Sequence, residues 1–311
     1  MIRHALLLTA GLGTRLRPLT DVRAKPAIPV AGEPLIRRII TWLAGQGVTD
    51  LVLNLHHLPH TLTAVVGDGS DLGARVRYSW EQPMVLGSAG GPRRALPMLG
   101  PPESNEAFFL VNGDTMTDLD LRDLASAHDA TDALVTLALV PNREPHKYGG
   151  VLTAGDGRVT GFAARGANAE GSFHFIGVQV VRAEAFRALP DGQAVNSIGD
   201  AYDRLLMSRP GSIRGYFCDA AFRDIGTTSD YWTTSFAYLG GRPADQAYGQ
   251  RVRIDASARI TRSILWDDVE VGAHSVVEEC IVTDLVRIPA GSQHRRSVLR
   301  RGDQGLLVTP L

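Results

Sequence analysis

The chain is poor in cysteine, with Cys218 and Cys280 alone in 311 residues, far apart and in no metal-ligand spacing. This excludes a disulfide framework and a cysteine-based metal site. Both thiols fall in apolar strand-like runs, which predicts buried free cysteines in a reducing cytoplasm. No run approaches the roughly 20 apolar residues of a membrane span. The short run Ala5–Leu8 follows Arg3 and His4, but it is too brief for a secretory leader, and Arg15 and Arg17 come soon after it. Neither charge sign is in excess: the formal net charge is −1, which argues against sequence-independent binding to nucleic acid or an anionic membrane. Hydrophobic residues at 44% and charged residues at 21% are ordinary globular values. The length allows one large domain and a small one.

What is present is a glycine-rich turn. Gly11-Leu12-Gly13-Thr14-Arg15-Leu16-Arg17-Pro18-Leu19-Thr20, with Lys25-Pro26 behind it, follows the apolar run Ala5–Leu8. Glycine at the end of a first strand lets backbone amides approach a phosphate. Arg15 adds a planar fork of donors and Lys25 a point charge. With Arg17 and Arg23 they form a local cationic cluster for an anionic substrate. A dinucleotide fingerprint is excluded, because Leu16 stands at its third glycine. The P-loop pattern is absent.

Apolar runs alternate with helical patterns. Strands are predicted at Asp50–Leu55, Ala74–Trp80, Ala107–Val111 and Asp132–Val140. Ile36, Ile39, Ile40 and Leu43 mark one face of a helix ending at Gly45 or Gly47; Leu121–His128, Asp200–Met207 and Ser229–Leu239 also read as helices. This alternation predicts an α/β fold with a doubly wound, Rossmann-like mixed sheet. Ligands in such sheets bind beyond the carboxyl ends of strands, where the Gly11 loop and Asn112-Gly113-Asp114 fall. A carboxylate such as Asp114 suits a hard cation, and Asp224 in Arg223-Asp224-Ile225-Gly226-Thr227 is a second candidate. His56, His57 and His60 read as surface histidines at a helix start. Gly240-Gly241-Arg242-Pro243 breaks the chain, and hexads then begin at Ile254, Ile260, Val271 and Ile288. They predict a short C-terminal left-handed parallel β-helix of about two to three coils.

GLGTRLRPLT followed by AKPAIPVAGEPLI resembles the signature of the sugar-1-phosphate nucleotidyltransferases, or NDP-sugar pyrophosphorylases. The resemblance implies a nucleotidyltransferase domain over residues 1–240, with a sugar-side lobe at about 145–220, and a β-helix over 250–301. The implied reaction is in-line attack of a sugar 1-phosphate oxygen on the α-phosphorus of a nucleoside triphosphate, releasing pyrophosphate. Arg15, Lys25 and Asp114 would be the catalytic set. Ala10, Gly11, Gly13, Thr14 and Arg15 would hold the β,γ-phosphates and Lys25 the α-phosphate. Asp114 and Asp224 would bind Mg²⁺.

Glu81-Gln82-Pro83-Met84-Val85-Leu86-Gly87-Ser88-Ala89-Gly90-Gly91 matches the family's base-reading segment. Leu86–Gly90 is similar to guanylyltransferases, with Glu81 facing guanine. Gln82 and Gly87 instead have the spacing of uridylyl- and thymidylyltransferases. The lean is to GTP and mannose 1-phosphate. The alternatives are UTP or dTTP with N-acetylmuramate 1-phosphate or glucose 1-phosphate, and a catalytically silent subunit of the same fold. Tyr148, Gly149, Arg165 and Gly177 would line the sugar phosphate, although Ala164-Arg165-Gly166 replaces the usual Glu-Lys-Pro and Phe175 an asparagine. The expected partners are the two substrates and a second copy through the β-helix, with no nucleic acid or membrane.

Overall fold

The apolar runs of the first two-thirds of the chain assemble into one nine-stranded mixed sheet. The computed structural model describes residues 2–101, 105–241, 248–303 and 305–311. The break at Gly240 therefore falls partly outside the described residues, since Arg242 and Pro243 are not among them. The described chain divides into two compact units, one of residues 1–11, 39–59 and 66–223, the other of 12–38, 60–65 and 224–311.

In the first unit His4–Leu8 pairs in parallel with Asp50–Leu55 on one side and Ala107–Asn112 on the other. Arg75–Trp80 continues the parallel run beyond Asp50–Leu55. Read across these four strands, the chain order reverses between His4–Leu8 and Ala107–Asn112, the position where doubly wound sheets bind ligands. Phe173–Arg182 then pairs antiparallel with both Ala107–Asn112 and Val135–Pro141. The predicted sugar-side region thus extends the same sheet. Gly150–Thr153 and Val159–Ala163 pair with each other, and Phe173 meets Val151. Leu6, Val52, Leu110, Leu137 and Val181 are fully or almost fully buried in one core cluster. Burial on that scale is worth about 1.5–3 kcal/mol per side chain.

In the second unit, residues 253–302 form three parallel sheets whose successive strands stand one above another. Arg253 faces Glu270, which faces Arg287; Ile264 faces Ile281, which faces Val298. The repeat is 17 residues, as in the Cys280 N–H to Ser263 Oγ bond, so each coil is one residue short of three hexads. Leu265, Val282 and Leu299 make one fully buried column, and Val269 and Val286 part of another. Arg262, Glu279 and Arg296 have φ of 46°, 50° and 45°, and Arg251, Asp268 and Leu285 repeat the same left-handed geometry at a second corner. Cys280 is buried as expected, whereas Cys218 is only half-buried; both are free. No described helix is long and apolar enough to cross a membrane.

Candidate active site

The carboxyl ends of the two switch-point strands are tied together in the first unit. Gly113 N–H donates to Leu8 O at 3.0 Å. A Cβ at Gly113 would stand 2.7 Å from that oxygen and from Thr9 Cγ2, so only glycine permits the approach. Asp114 follows directly, partly exposed at the strand end. Ala10 is buried and Gly11 exposed, with open space around its Cα. The backbone N–H groups of Thr9 and Ala10 donate to Asn54 Oδ1 at 2.5 and 3.1 Å. Ala10 N–H is therefore engaged by Asn54 rather than by open solvent.

The other end of the Asn54 amide corrects the expectation for Glu81. Asn54 Nδ2 donates to Glu81 Oε1 at 2.6 Å, and Leu86 N–H donates to Oε2 at 2.6 Å. Glu81 is 0% exposed, so its carboxylate is committed to the fold and does not face a base. Burial pushes its pKa up, and the bonds from Leu86 and Asn54 oppose that. A Cβ at Gly91 would overlap the Glu81 carboxylate. Gln82, the next residue, is exposed. His56 Nδ1 lies 2.8 Å from Glu81 O, which gives that histidine a structural contact.

Gly87 has φ 77° and opens the helix Gly87–Leu99. A segment without a sequence signature holds it: Ala89 and Gly90 N–H both donate to Val195 O, and Val195 N–H donates to Leu86 O. Ser88 Oγ accepts from Ser197 N–H at 2.8 Å and lies 2.9 Å from Ser197 Oγ. Residues 195–197 therefore brace the predicted base-reading segment, and only long-range pairing reveals them.

In the second unit, the signature runs through three short 3₁₀ turns, Thr14–Leu16, Leu19–Asp21 and Lys25–Ala27. Gly13 has φ 60°, and a Cβ there would stand 2.7 Å from Thr20 Cγ2. Thr20 Oγ1 donates to Gly13 O at 3.0 Å, closing the turn. Thr14 and Arg15 are exposed and Lys25 half-buried. A Cβ at Gly226 would lie 3.1 Å from Asp230 Oδ2, 3.5 Å from Arg15 Nη1 and 3.6 Å from Asp224 Oδ2, so Arg15, Asp224 and Asp230 converge on that glycine. Arg23 departs from its expected place in the cationic cluster. It is 8% exposed and neutralised by two carboxylates, Asp267 and Asp284.

A cavity of about 420 Å³ lies at the carboxyl ends of Val135–Pro141 and Ile213–Phe217, again in the first unit. Tyr148, His174 and Phe222 form its aromatic wall, with centroids 4.1 Å apart for Tyr148–His174 and 4.9 Å for His174–Phe222. Arg143 and Arg223 line it, and sequence reasoning missed both. Arg165 is exposed and not part of this lining. Gly149 packs against Ala163 O. Gly177, φ 81°, sits in the bulge where the pairing with Val135–Pro141 shifts register; a Cβ there would stand 2.8 Å from Asn112 Nδ2. Among the described residues no three His, Cys, Asp or Glu side chains group as a metal site.

A nucleotidyl transferase family model matches residues 4–240, and a GlmU-like C-terminal hexapeptide model matches 240–294. The chain belongs to the nucleotidyl transferase family. A mannose-1-phosphate guanylyltransferase of Mycobacterium tuberculosis is 29% identical over 297 residues, covering 92% of this chain and 81% of that protein. A UTP–glucose-1-phosphate uridylyltransferase of Synechocystis is also 29% identical, covering 86% and 71%. The crystal structure of HddC from Yersinia pseudotuberculosis superposes with a TM-score of 0.65 at 22% identity, covering 76% of this chain and all of that one, and shows the shared fold. The transferase domain and the hexapeptide region thus account for nearly the whole chain.

Proposed function

We propose that the protein is a Mg²⁺-dependent sugar-1-phosphate nucleotidyltransferase, turning a nucleoside triphosphate and a sugar 1-phosphate into a nucleotide sugar and pyrophosphate. The observation that carries this reading is the signature Gly11–Thr20 with Lys25, issuing from a strand at the reversal point of the sheet. Arg15 and the loop through Gly11, Gly13 and Thr14 would take the β,γ-phosphates, and Lys25 the α-phosphate. No covalent nucleophile is needed, because positioning and charge neutralisation suffice. Asp114 and Asp224 are each assigned to Mg²⁺. Their carboxylate oxygens are the hard donors this ion takes, one or two at a time. When bound, the ion would neutralise triphosphate charge. Tyr148, Gly149 and Gly177 keep their assignment to the sugar side. Arg143 and Arg223 join Arg165 as candidates for the sugar phosphate.

The lean to GTP and mannose 1-phosphate rests on relatives such as the mycobacterial enzyme. A specific observation favours a second reading, a pyrimidine triphosphate. Glu81 is buried and committed, whereas Gln82 is exposed at the spacing to Gly87 expected of a pyrimidine reader. A glutamine amide matches the donor and acceptor edge of uracil or thymine.

The domain reading is a transferase domain over 1–240, including the sugar side at about 145–220, and a left-handed β-helix over 250–301. The hexapeptide match over residues 240–294 and the stacked 17-residue register support the coil. A homo-oligomer through the coils is part of the proposal. Gly305–Pro310 is an edge strand with Leu307 and Val308 43% and 51% exposed. The two free thiols fit a cytoplasmic setting.

The test is pyrophosphate release from a matrix of GTP, UTP, dTTP, ATP and CTP against common sugar 1-phosphates, repeated with Gln82→Ala. Turnover with one pair supports the reading. Nucleotide binding with no turnover in any pair would instead identify a silent subunit.

A further inference from the structure

The segment of the signature that carries Lys25 is anchored on both sides to the C-terminal coils. Upstream, the Arg23 guanidinium reaches Asp284 with two bonds, Nε to Oδ2 at 2.6 Å and Nη2 to Oδ1 at 2.7 Å. The same Nη2 reaches Asp267 Oδ2 at 2.6 Å. Asp267 N–H donates to Asp284 Oδ1 at 3.0 Å, which fixes the two carboxylates on adjacent coils. The guanidinium lies 5.4 Å from the centroid of the Trp266 ring, and its Nη1 is 3.5 Å from Ala27 O, at the end of the turn Lys25–Ala27. Downstream, Tyr231 O–H donates to Pro29 O at 2.7 Å, and Trp266 Nε1–H donates to Tyr231 Oη at 2.9 Å. Trp266 and Tyr231 are fully buried. Every one of these residues belongs to the second unit.

Two tethers, one at Arg23 and one at Pro29, thus bracket Lys25. Both end on consecutive coil residues, Trp266 and Asp267. A bidentate arginine–carboxylate pair fixes orientation as well as distance. A lysine on a flexible stem needs such a fixed backbone origin to place its charge, and small misplacement of a transition-state group is costly.

We propose that Trp266, Asp267 and Asp284 are positioning residues for nucleotidyl transfer, acting through Arg23 and Tyr231 to hold the backbone that presents Lys25. The hexapeptide coils are then part of the working active site, beyond any part they take in assembly. The proposal rests on the assignment of Lys25 to the α-phosphate.

The test is a double-mutant cycle in the full chain. Turnover is measured for wild type, Asp284→Asn, Lys25→Ala and the double variant, at a temperature where melting curves show each folded. Asp284→Asn keeps the side-chain shape and removes the charge. Its kcat should fall by about tenfold or more, with the KM for sugar phosphate within about threefold of wild type. The double variant should be no worse than about threefold below Lys25→Ala, because the anchor acts through Lys25. Additive losses would overturn the proposal, since a purely structural role gives additivity. Wild-type turnover in Asp284→Asn beside a crippled Lys25→Ala would also overturn it. Wild-type turnover in Lys25→Ala would overturn the underlying assignment of Lys25, and the proposal with it. Should Asp284→Asn not fold, Tyr231→Phe removes the hydroxyl that bonds Pro29 O and accepts from Trp266, leaving the ring in place. It is judged in the same cycle by the same two criteria.

Discussion

Asn54 and Glu81 are joined side chain to side chain at 2.6 Å, and between them they connect the backbone of Thr9 and Ala10 to that of Leu86. The end of the first strand and the start of the predicted base-reading segment therefore share one buried polar link. Its polarity is strict. Asn54 accepts from two backbone N–H groups and donates once; Glu81 accepts twice.

Glu81→Gln turns one acceptor into a donor and sets it against Asn54 Nδ2 or Leu86 N–H. An unsatisfied buried group of this kind costs about 1–3 kcal/mol. The KM for nucleoside triphosphate should rise about tenfold and the melting temperature should fall. Asn54→Asp combined with Glu81→Gln restores every bond with the donor direction between the side chains reversed. That pair should recover most of both losses. No recovery in the double variant would show that the carboxylate acts at position 81 by its charge and not as a link.

Arg15→Ala and Lys25→Ala test the phosphate assignments separately. Each should cut turnover by at least about a hundredfold, as loss of a preorganised charge does. Arg15→Ala should also raise triphosphate KM, because it removes ground-state binding to the β,γ-phosphates; Lys25→Ala should act mainly on kcat. Steady-state kinetics on folded variants decides this. Activity within threefold of wild type in either would remove that residue from the site.

Asp114→Asn and Asp224→Asn keep side-chain shape and remove one charge each. Turnover should fall by orders of magnitude, with the Mg²⁺ concentration for half-maximal activity displaced upward. Triphosphate binding without metal should hold or tighten, since a negative charge beside the phosphates has gone. Mg²⁺ titration of activity, with nucleotide binding measured in chelator, separates the two effects. Normal turnover at ordinary Mg²⁺ in both variants would reduce these aspartates to turn formers.

The signature was legible because its information is local. Glycine at a close approach, proline in a turn and apolar runs of strand length lie within a dozen residues of one another. The helix face Ile36, Ile39, Ile40 and Leu43 is buried as its spacing predicts. Long-range partners were not legible. Arg23 looks like one more loop cation until Asp267 and Asp284, 244 and 261 residues away, are seen to hold it. Glu81 looks like a base reader until Asn54, 27 residues earlier, is seen to occupy it. The role of residues 195–197 rests on the backbone bonds of Val195 and on the Ser88–Ser197 contact, whose partners are 109 residues apart. Hexads showed the coil, and the 17-residue spacing of Ile254, Val271 and Ile288 is the register in which the strands stack.

His128 is a buried imidazole whose titration differs between the folded and unfolded chain. It is 0% exposed, near the end of the helix Leu121–Asp129, with Nδ1 2.8 Å from Thr136 Oγ1. Its Nε2 has no hydrogen-bond partner among the described residues. Burial, with a smaller contribution from nearby Arg182, lowers its pKa from 6.5 to about 4. Between these values the unfolded chain holds a proton that the folded chain lacks, so stability rises with pH across that window. The contribution is complete above about 6.5 and is lost as pH falls toward about 4; the loss at pH 5 is on the order of 2 kcal/mol. Urea unfolding at pH 7.5 and pH 5 should show a lower midpoint in acid for the wild type. His128→Asn, which keeps a polar atom for Thr136 and cannot charge, should show a smaller drop even if its midpoint at pH 7.5 is reduced by the lost ring volume. Equal drops in the two proteins would assign the acid sensitivity to carboxylates elsewhere.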